Sequence, residues 1–198
     1  MDIEPYDVTK SYLDMAHAIV NSELNVAPDL QEKSPQYKND VTFAAQSCAY
    51  LYSYMAITAF VSVHLYEQWQ LEGSFFRNKY PKYVSFEKLM REQYRELKDG
   101  LRALCEVLNI PKIHEGNATA WQHLIEFMKN YRDFFVHPTP DKFSEIISGV
   151  GARSIQFPVN TAVEIIGYFY DQNHQERPDW LNQRRDLKIP SILVESTD

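Results

Sequence analysis

Apolar side chains recur along most of the chain at intervals of three and four residues, the period of an α-helix that buries one face. Polar connections, several of them containing proline, separate these stretches and predict about five helices. The predicted helices span residues 6–24, 40–70, 85–108, 119–137 and 159–171. The strand signal is confined to one short piece, residues 154–157. We therefore expect an all-α fold, an antiparallel bundle of four to five helices.

The helix predicted over residues 85–108 has the most regular period in the chain. Its apolar positions alternate spacings of four and three residues, as in the seam between the helices of a bundle. These positions are Met90, Tyr94, Leu97, Leu101, Leu104 and Leu108. The pattern predicts one continuous helix whose seam faces the core.

The helix predicted over residues 119–137 begins with Thr119-Ala-Trp-Gln122, which matches a capping box. It is expected to end at His137, because Pro138 disfavours helical geometry in the residue before it. Its inner stripe consists of Trp121, Leu124, Met128, Tyr131 and Phe135.

Residues 41–66 contain no formally charged side chain, and a stretch of this length can span a bilayer. Polar and tyrosine side chains interrupt it, however, and tyrosine favours membrane interfaces over the bilayer centre. These side chains are Gln46, Ser47, Tyr50, Tyr52, Ser53, Tyr54 and Thr58. We therefore predict a central helix that is buried on nearly all sides, in preference to a membrane span, and we expect Asp40 to be its N-cap.

The length of 198 residues suits one domain with a single core. We assign residues 1–175 to the helical bundle, with a loop at Gly149 and Gly151, and residues 176–198 to a loosely packed polar tail.

The net charge of −7 predicts that the molecule as a whole repels polyanions, so any contact with RNA must be local. Cys48 and Cys105 lie inside helical patterns without a metal-ligand spacing, which favours free thiols in a reducing compartment. The acidic start of the chain lacks the features of a secretion leader. The expected location is the cytoplasm.

Candidate chemistry lies at the end of the fourth predicted helix, where Arg132 and His137 are five residues apart. A guanidinium is a permanent planar cation that suits phosphate oxygens, and imidazole exchanges protons near neutral pH. Five residues correspond to about 140° around an ideal helix. His137, however, occupies the terminal position that Pro138 restricts, so its side chain can turn toward Arg132. Asp133 precedes His137 by four residues and Lys129 precedes Asp133 by four, so a carboxylate is expected to orient the imidazole.

An Arg-x-x-x-x-His pair with a polar residue after the Arg, at the end of the last long helix of a helical bundle, resembles the HEPN superfamily. Arg132, Asp133 and His137 match this pattern. The resemblance implies a HEPN-like bundle that acts as a metal-independent endoribonuclease, of the toxin or antiviral-effector type, in a homodimer. It also implies an RNA substrate and an antitoxin or other regulatory protein as partner, and it assigns catalysis to Arg132, Asp133 and His137.

The implied chemistry is coherent. A base removes the proton of a ribose 2′-hydroxyl, the oxygen attacks the adjacent phosphorus, an Arg stabilises the added negative charge, and an acid protonates the leaving 5′ oxygen. One chain supplies one His at the site, so a two-fold dimer supplies the base and the acid. The alternative is a non-catalytic helical module that binds a protein or nucleotide, since Arg and His are also favoured at a helix C-terminus by the helix dipole.

A second candidate surface is the segment over residues 75–83, in which aromatic and cationic residues alternate. This pattern is typical of contact with single-stranded RNA, and we assign RNA binding to Arg77, Lys79 and Lys82, together with Lys129. The competing interpretation is an aromatic connection that packs on the end of the bundle with its cations in solvent. The histidine spacings match no metal-binding motif, and glycine-rich phosphate loops are absent, so no metal or cofactor is expected.

Overall fold

The structure, a computed structural model, describes residues 5–24, 35–71, 75–137, 139–151 and 153–182. These residues form helices and turns without a strand, as the all-α prediction requires. The helices are α1 (Pro5–Leu24), α2 (Pro35–Gln70), α3 (Phe75–Lys79), α4 (Phe86–Gln93), α5 (Leu97–Val107), α6 (Ile113–Gly116), α7 (Ala118–Gln122), α8 (Lys129–Val136), α9 (Phe143–Gly151), α10 (Phe157–Gln172) and α11 (Asp179–Asn182). A π-helical segment, His123–Met128, joins α7 to α8, and a 3-10 turn, Pro140–Lys142, precedes α9.

The core forms around α2, which contacts α1, α5, α8 and α10. Tyr50, Ile57 and Leu65 of α2 are fully or almost fully buried. Aromatic contacts give the directions of the neighbouring helices. Tyr50 meets Phe157 and Phe60 meets Phe169, so α10 runs in the same direction as α2. The predicted antiparallel arrangement therefore does not hold for this pair.

Helix α2 differs from its prediction in two ways. It begins at Pro35, so Asp40 lies inside the helix and is not its N-cap. It is also not buried on nearly all sides, because Met55 and Tyr66 are exposed. Among the described residues, the part from Phe43 to Gln70 is the one helix that is long and apolar enough to cross a membrane, and half of its most apolar window is buried in the fold. A helix in the core of a folded domain can be equally long and apolar, so length and composition alone do not indicate a membrane span.

The predicted helix over residues 85–108 is two helices. Ser85 caps α4 by accepting a hydrogen bond from the amide of Lys88 (3.3 Å), but the helix ends at Gln93 and α5 starts at Leu97. The ring of Tyr94, in the break, packs edge-on against Phe76 (6.0 Å between centroids). The prediction of one continuous helix is therefore wrong. The predicted seam nevertheless faces the core, because Leu101 and Leu104 are fully buried and the other four positions pack against the core.

Gly100 allows α5 to approach α2 closely. A Cβ at this position would lie 2.9 Å from Cγ1 of Val61, closer than side-chain carbons normally approach. Because Gly100 has no side chain, the two helices pack in direct contact.

The helix that carries the candidate site starts earlier than predicted. Asn117 is its N-cap, and its side-chain oxygen accepts from the amide of Ala120 (3.1 Å). Thr119 is already helical, so the predicted capping box at Thr119 is wrong. Asn117 caps the helix two residues before Thr119, because an Asn side chain is at least as good an N-cap as that of Thr.

The last third of the chain contains more helix than expected. Gly149 and Gly151 belong to α9, and residues 154–157 form a turn that leads into α10, not an extended piece. At the start of the predicted tail, Leu181 of α11 is buried, so this part packs against the fold. The rest of the tail, residues 183–198, lies outside the described residues.

Candidate functional site

Helix α8 ends where the sequence predicts. Val136 is its last residue, and His137 leaves the helical conformation with φ −133° and ψ 73°. The amide of His137 still donates to the carbonyl of Asp133 (2.9 Å). The His137 side chain is exposed, and its imidazole has no hydrogen bond or ion pair to any residue that the structure describes.

Arg132 projects from α8 toward α2. Its Nη2 donates to the hydroxyl of Tyr54 (3.1 Å), and its Cζ lies 4.5 Å from the centroid of the Tyr54 ring. Its Nη1 pairs with Oδ1 of Asp133 (2.8 Å). The side chain is 32% exposed, while Nε is buried without a hydrogen-bond partner among the described residues. The guanidinium is thus anchored on one side and accessible on the other.

Asp133 contacts cations and not the imidazole. Its carboxylate pairs with Arg132 and with Nζ of Lys129 (3.2 Å), the pair predicted from the four-residue spacing. The predicted contact between Asp133 and His137 is not formed within the chain. The reason is local: the backbone of His137 has left the helix, so the four-residue spacing no longer aligns the two side chains.

Aromatic packing fixes α8 against α2. Tyr131 meets Tyr50 edge-on (5.0 Å between centroids), and Phe135 meets Phe43 in the same way (5.8 Å). Together with the Arg132 contact to Tyr54, these pairs show that α8 runs antiparallel to α2. Burial raises the pKa of Tyr50 well above its usual value, so this phenol stays neutral.

Arg153 supports the same helix from the other side. Its Nη1 donates to the hydroxyl of Tyr131 (2.9 Å) and to the carbonyl of Gly149 (2.8 Å), and its Cζ lies 3.7 Å from the centroid of Phe127. Sequence reasoning missed Tyr54 and Arg153. Tyr54 was one of several tyrosines in the uncharged stretch of residues 41–66, and Arg153 belongs to no motif.

The described residues beside the site enclose a cavity of about 10 Å³, which is lined by Tyr54, Lys129 and residues 96–98 and 124–125. This volume is at the lower limit for one water molecule. A substrate of nucleotide size would therefore bind on the surface, next to the exposed edge of Arg132 and His137.

The three other predicted RNA-binding residues lie apart from this site in sequence, in α3 and in the turn that follows it. Arg77, Lys79 and Lys82 are all exposed. Nζ of Lys79 pairs with Glu106 (2.7 Å), and this hydrogen bond raises the pKa of Lys79.

Within the described residues, no three His, Cys, Asp or Glu side chains are close enough to share a metal ion. Both cysteines are free thiols, and burial raises the pKa of Cys105 to about 11, which keeps it protonated and unreactive at neutral pH.

Comparison of the chain with family models, with curated proteins and with solved structures finds no significant match.

Proposed function

We propose that this chain is a metal-independent endoribonuclease of the HEPN type, which cleaves single-stranded RNA at Arg132 and His137 in a homodimer. One observation supports the proposal most directly. The last two turns of α8 hold a partly exposed guanidinium and end in an exposed imidazole, and this end of the helix is fixed against α2 by Tyr54. These are the two groups that RNA transesterification requires.

His137 is assigned proton transfer. Imidazole accepts and releases protons near neutral pH, and an exposed side chain can reach a ribose 2′-hydroxyl or a leaving 5′ oxygen. Arg132 is assigned stabilisation of the charge that develops on the phosphorus oxygens, because its planar fork of donors matches phosphate geometry. Lys129 adds positive charge on the same face.

The homodimer supplies what one chain lacks. Acid–base catalysis needs one group to remove a proton and another to donate one, and each chain offers one His at this site. A two-fold axis near the end of α8 would bring two copies of His137 and two of Arg132 together. We place this activity in the cytoplasm, under the control of an antitoxin or other regulatory protein.

Asp133 receives a different role from the one its spacing indicated. Its carboxylate contacts Arg132 and Lys129, so it orients the guanidinium and lowers the positive charge at the site. Asp133→Asn is therefore expected to alter cleavage through Arg132.

The proposal is tested with Arg132→Ala and His137→Ala. Each change should lower cleavage of single-stranded RNA at least about a hundredfold, because a proton-transfer group or a charge-stabilising donor is lost. Helical circular dichroism should be retained. Products should end in 2′,3′-cyclic phosphate, and EDTA should not inhibit.

Matched controls are Arg102→Ala and His114→Ala, which remove an exposed Arg and an exposed His elsewhere on the surface. Both should cleave at the wild-type rate. If the purified chain cuts no RNA, or cuts equally well after both site substitutions, the catalytic assignment is wrong.

A non-catalytic binding module is the second candidate, and the contacts of Arg132 favour it. The guanidinium stacks on Tyr54 and pairs with Asp133, which are interactions that an Arg also makes when its role is to hold two helices together. In that case Arg132→Ala would lower stability, and Arg132→Lys would not change the binding of the partner.

A further inference from the structure

A second Arg and a second His meet at the aromatic pair Phe127 and Phe157. Cζ of Arg153 lies 3.7 Å from the ring centroid of Phe127 and 5.5 Å from that of Phe157. The imidazole centroid of His123 lies 4.8 Å from that of Phe157 and 6.1 Å from that of Phe127. The guanidinium and the imidazole are thus held beside the same two rings.

The hydrogen bonds that anchor Arg153 use one of its three nitrogens. Nη1 donates to the hydroxyl of Tyr131 and to the carbonyl of Gly149. The opposite edge consists of Nε and Nη2, whose parallel N–H bonds can bind two oxygens of one anion. Neither atom donates to a residue that the structure describes, and both reach solvent. The edge of the guanidinium that suits a phosphate is therefore open.

His123 lies on the side toward which this open edge is directed. His123, Phe127 and Tyr131 follow one another along the helix, with neighbouring ring centroids 6.1 and 6.5 Å apart. Arg153 stacks on the middle ring with Nη1 toward the Tyr131 hydroxyl, so Nε and Nη2 are directed away from Tyr131. The imidazole of His123 is half-buried and has no hydrogen bond or ion pair within the described part of the chain. It can donate to a further oxygen of the same anion.

Arg153 also lacks a carboxylate partner among the described residues. Burial raises the pKa of Tyr131, the charge of Arg153 lowers it and that of Glu145 raises it, so Glu145 is nearby but forms no ion pair with Arg153. Half-buried cations are usually paired, and this chain has 27 acidic and 20 basic residues. A cation that stays unpaired in an acidic molecule leaves a position for an external anion.

A similar cluster at Trp121 differs in this respect. Cζ of Arg102 lies 5.8 Å from the centroid of Trp121, and the imidazole centroid of His114 lies 5.9 Å from it. A carboxylate already stands beside each of these groups, Asp99 at 3.7 Å from Arg102 and Glu115 at 3.7 Å from His114. The Trp121 cluster is therefore a matched comparison in which the chain itself supplies the anions.

The backbone at His123 is unusual as well. His123 is the first residue of the π-helical segment His123–Met128. Turns of this kind are rare and occur frequently at functional sites. This feature is independent of the side-chain geometry and coincides with one of the two polar groups.

We propose that Arg153 and His123 bind a small phosphate monoester, at what we call the Arg153–His123 site. Nε and Nη2 of Arg153 bind two terminal oxygens, and the imidazole of His123 donates to the third. A monoester offers three such oxygens and a charge of about −1.5 to −2 at neutral pH, whereas a phosphodiester lacks one of the oxygens and carries less charge. The site therefore favours the monoester. It shares no residue with the proposed cleavage site and does not depend on cleavage.

The test is a phosphorus-31 NMR titration of the full chain with methyl phosphate at constant ionic strength. We expect a Kd on the order of 1 mM for a ligand of this size. Dimethyl phosphate should bind about tenfold more weakly or less, because one charge-assisted hydrogen bond is lost. Arg132→Ala should retain the binding, which separates this site from the proposed nuclease site. Absence of RNA cleavage would refute the nuclease proposal and leave this titration unchanged.

Two variants test the residues. Arg153→Lys keeps a positive charge but loses the paired donors, and should weaken binding of methyl phosphate about tenfold or more. His123→Phe keeps an aromatic ring against Phe157 and leaves the anchoring contacts of Arg153 in place, so it tests the site without disturbing that anchor. It should also weaken binding about tenfold, because the donor to the third oxygen is lost.

Arg102→Lys/His114→Phe is the matched control, because it makes the same two changes at the Trp121 cluster. It should bind methyl phosphate as the wild type does. Unchanged affinity in Arg153→Lys and His123→Phe, an equal loss in the control, or equal affinities for the two phosphates would each overturn the proposal. So would a titration that shows no saturation up to about 10 mM. A 5′-phosphorylated oligodeoxythymidylate that binds through the same two residues more than about tenfold tighter than methyl phosphate would assign the site to a strand end and overturn the small-molecule assignment.

Discussion

At the scale of single residues, Tyr54 determines where the Arg132 guanidinium lies. Its ring stacks against the guanidinium, and its hydroxyl accepts a hydrogen bond from Nη2 of Arg132. A cation–π contact contributes about 0.5–2 kcal/mol and a hydrogen bond to a charged group about 1.5–3 kcal/mol in buried settings, and both are smaller for a side chain that is one-third exposed. Tyr54 is therefore a positioning residue for Arg132.

Tyr54→Phe tests this role, because it keeps the ring under the cation and removes the acceptor. We expect a loss of stability of about 1 kcal/mol in urea unfolding, and a decrease in kcat for RNA cleavage with little change in KM. Tyr66→Phe, on the exposed side of the same helix, is the control and should change neither quantity. An unchanged kcat in Tyr54→Phe would show that the hydroxyl does not position Arg132.

Sequence reasoning selects Arg132 and His137 as the candidate site because their spacing and the proline that follows are local features. It could not locate Tyr54, which is 78 residues from Arg132 along the chain. It also assigned Asp133 to His137 from a four-residue spacing, whereas the adjacent Arg132 takes the carboxylate. Local spacing predicts which side chains share a helix face, and the conformation at the helix end decides which of them meet.

At the scale of elements, the long helices were predictable and the short ones were not. Helices α1, α2 and α10 extend over enough turns for their apolar period to show. Helices α3, α6 and α11 have four or five residues each, too few for a period. The break at Tyr94 depends on Phe76 and Tyr80, which approach from another part of the chain, so no pattern within residues 85–108 reveals it.

The contact between α5 and α2 gives a prediction for Gly100→Ala. Alanine favours a helix over glycine by about 1 kcal/mol, but overpacking a tight contact costs about 1–3 kcal/mol. Because the new Cβ would meet the buried Val61, the second effect should exceed the first, and the midpoint of urea unfolding should fall. Val61→Ala in the same chain removes the opposing methyl groups. The double variant should therefore be less destabilised than the sum of the two single variants, and additive effects would show that the helices are not in tight contact here.

At the scale of the whole molecule, the proposed homodimer must bury a surface that one chain leaves open. From the sequence, the long apolar helix α2 favours a dimer interface at Tyr50, Tyr54 and Phe60, and the candidate site favours one at the end of α8. Tyr50, Tyr54 and Phe60, however, are 1%, 8% and 3% exposed within a single chain. They belong to the core of the chain and are not available to a partner. The other predicted interface, at the end of α8, has an exposed apolar side chain, Val136, next to His137.

Val136→Glu tests the interface at the end of α8. Val136 is 49% exposed, so the change should leave the fold intact, while a carboxylate on each side of a two-fold axis should separate the chains. Sedimentation at micromolar concentration should show dimers for the wild type and monomers for the variant, and RNA cleavage should fall with the dimer fraction. Met15→Glu is the control, because Met15 of α1 is 47% exposed and the substitution likewise replaces an apolar side chain with a carboxylate.

Each chain has a net charge of −7, so added salt should strengthen the wild-type dimer by screening repulsion between the subunits. A wild-type chain that sediments as a monomer at every salt concentration would remove the second His137 and, with it, the support for cleavage.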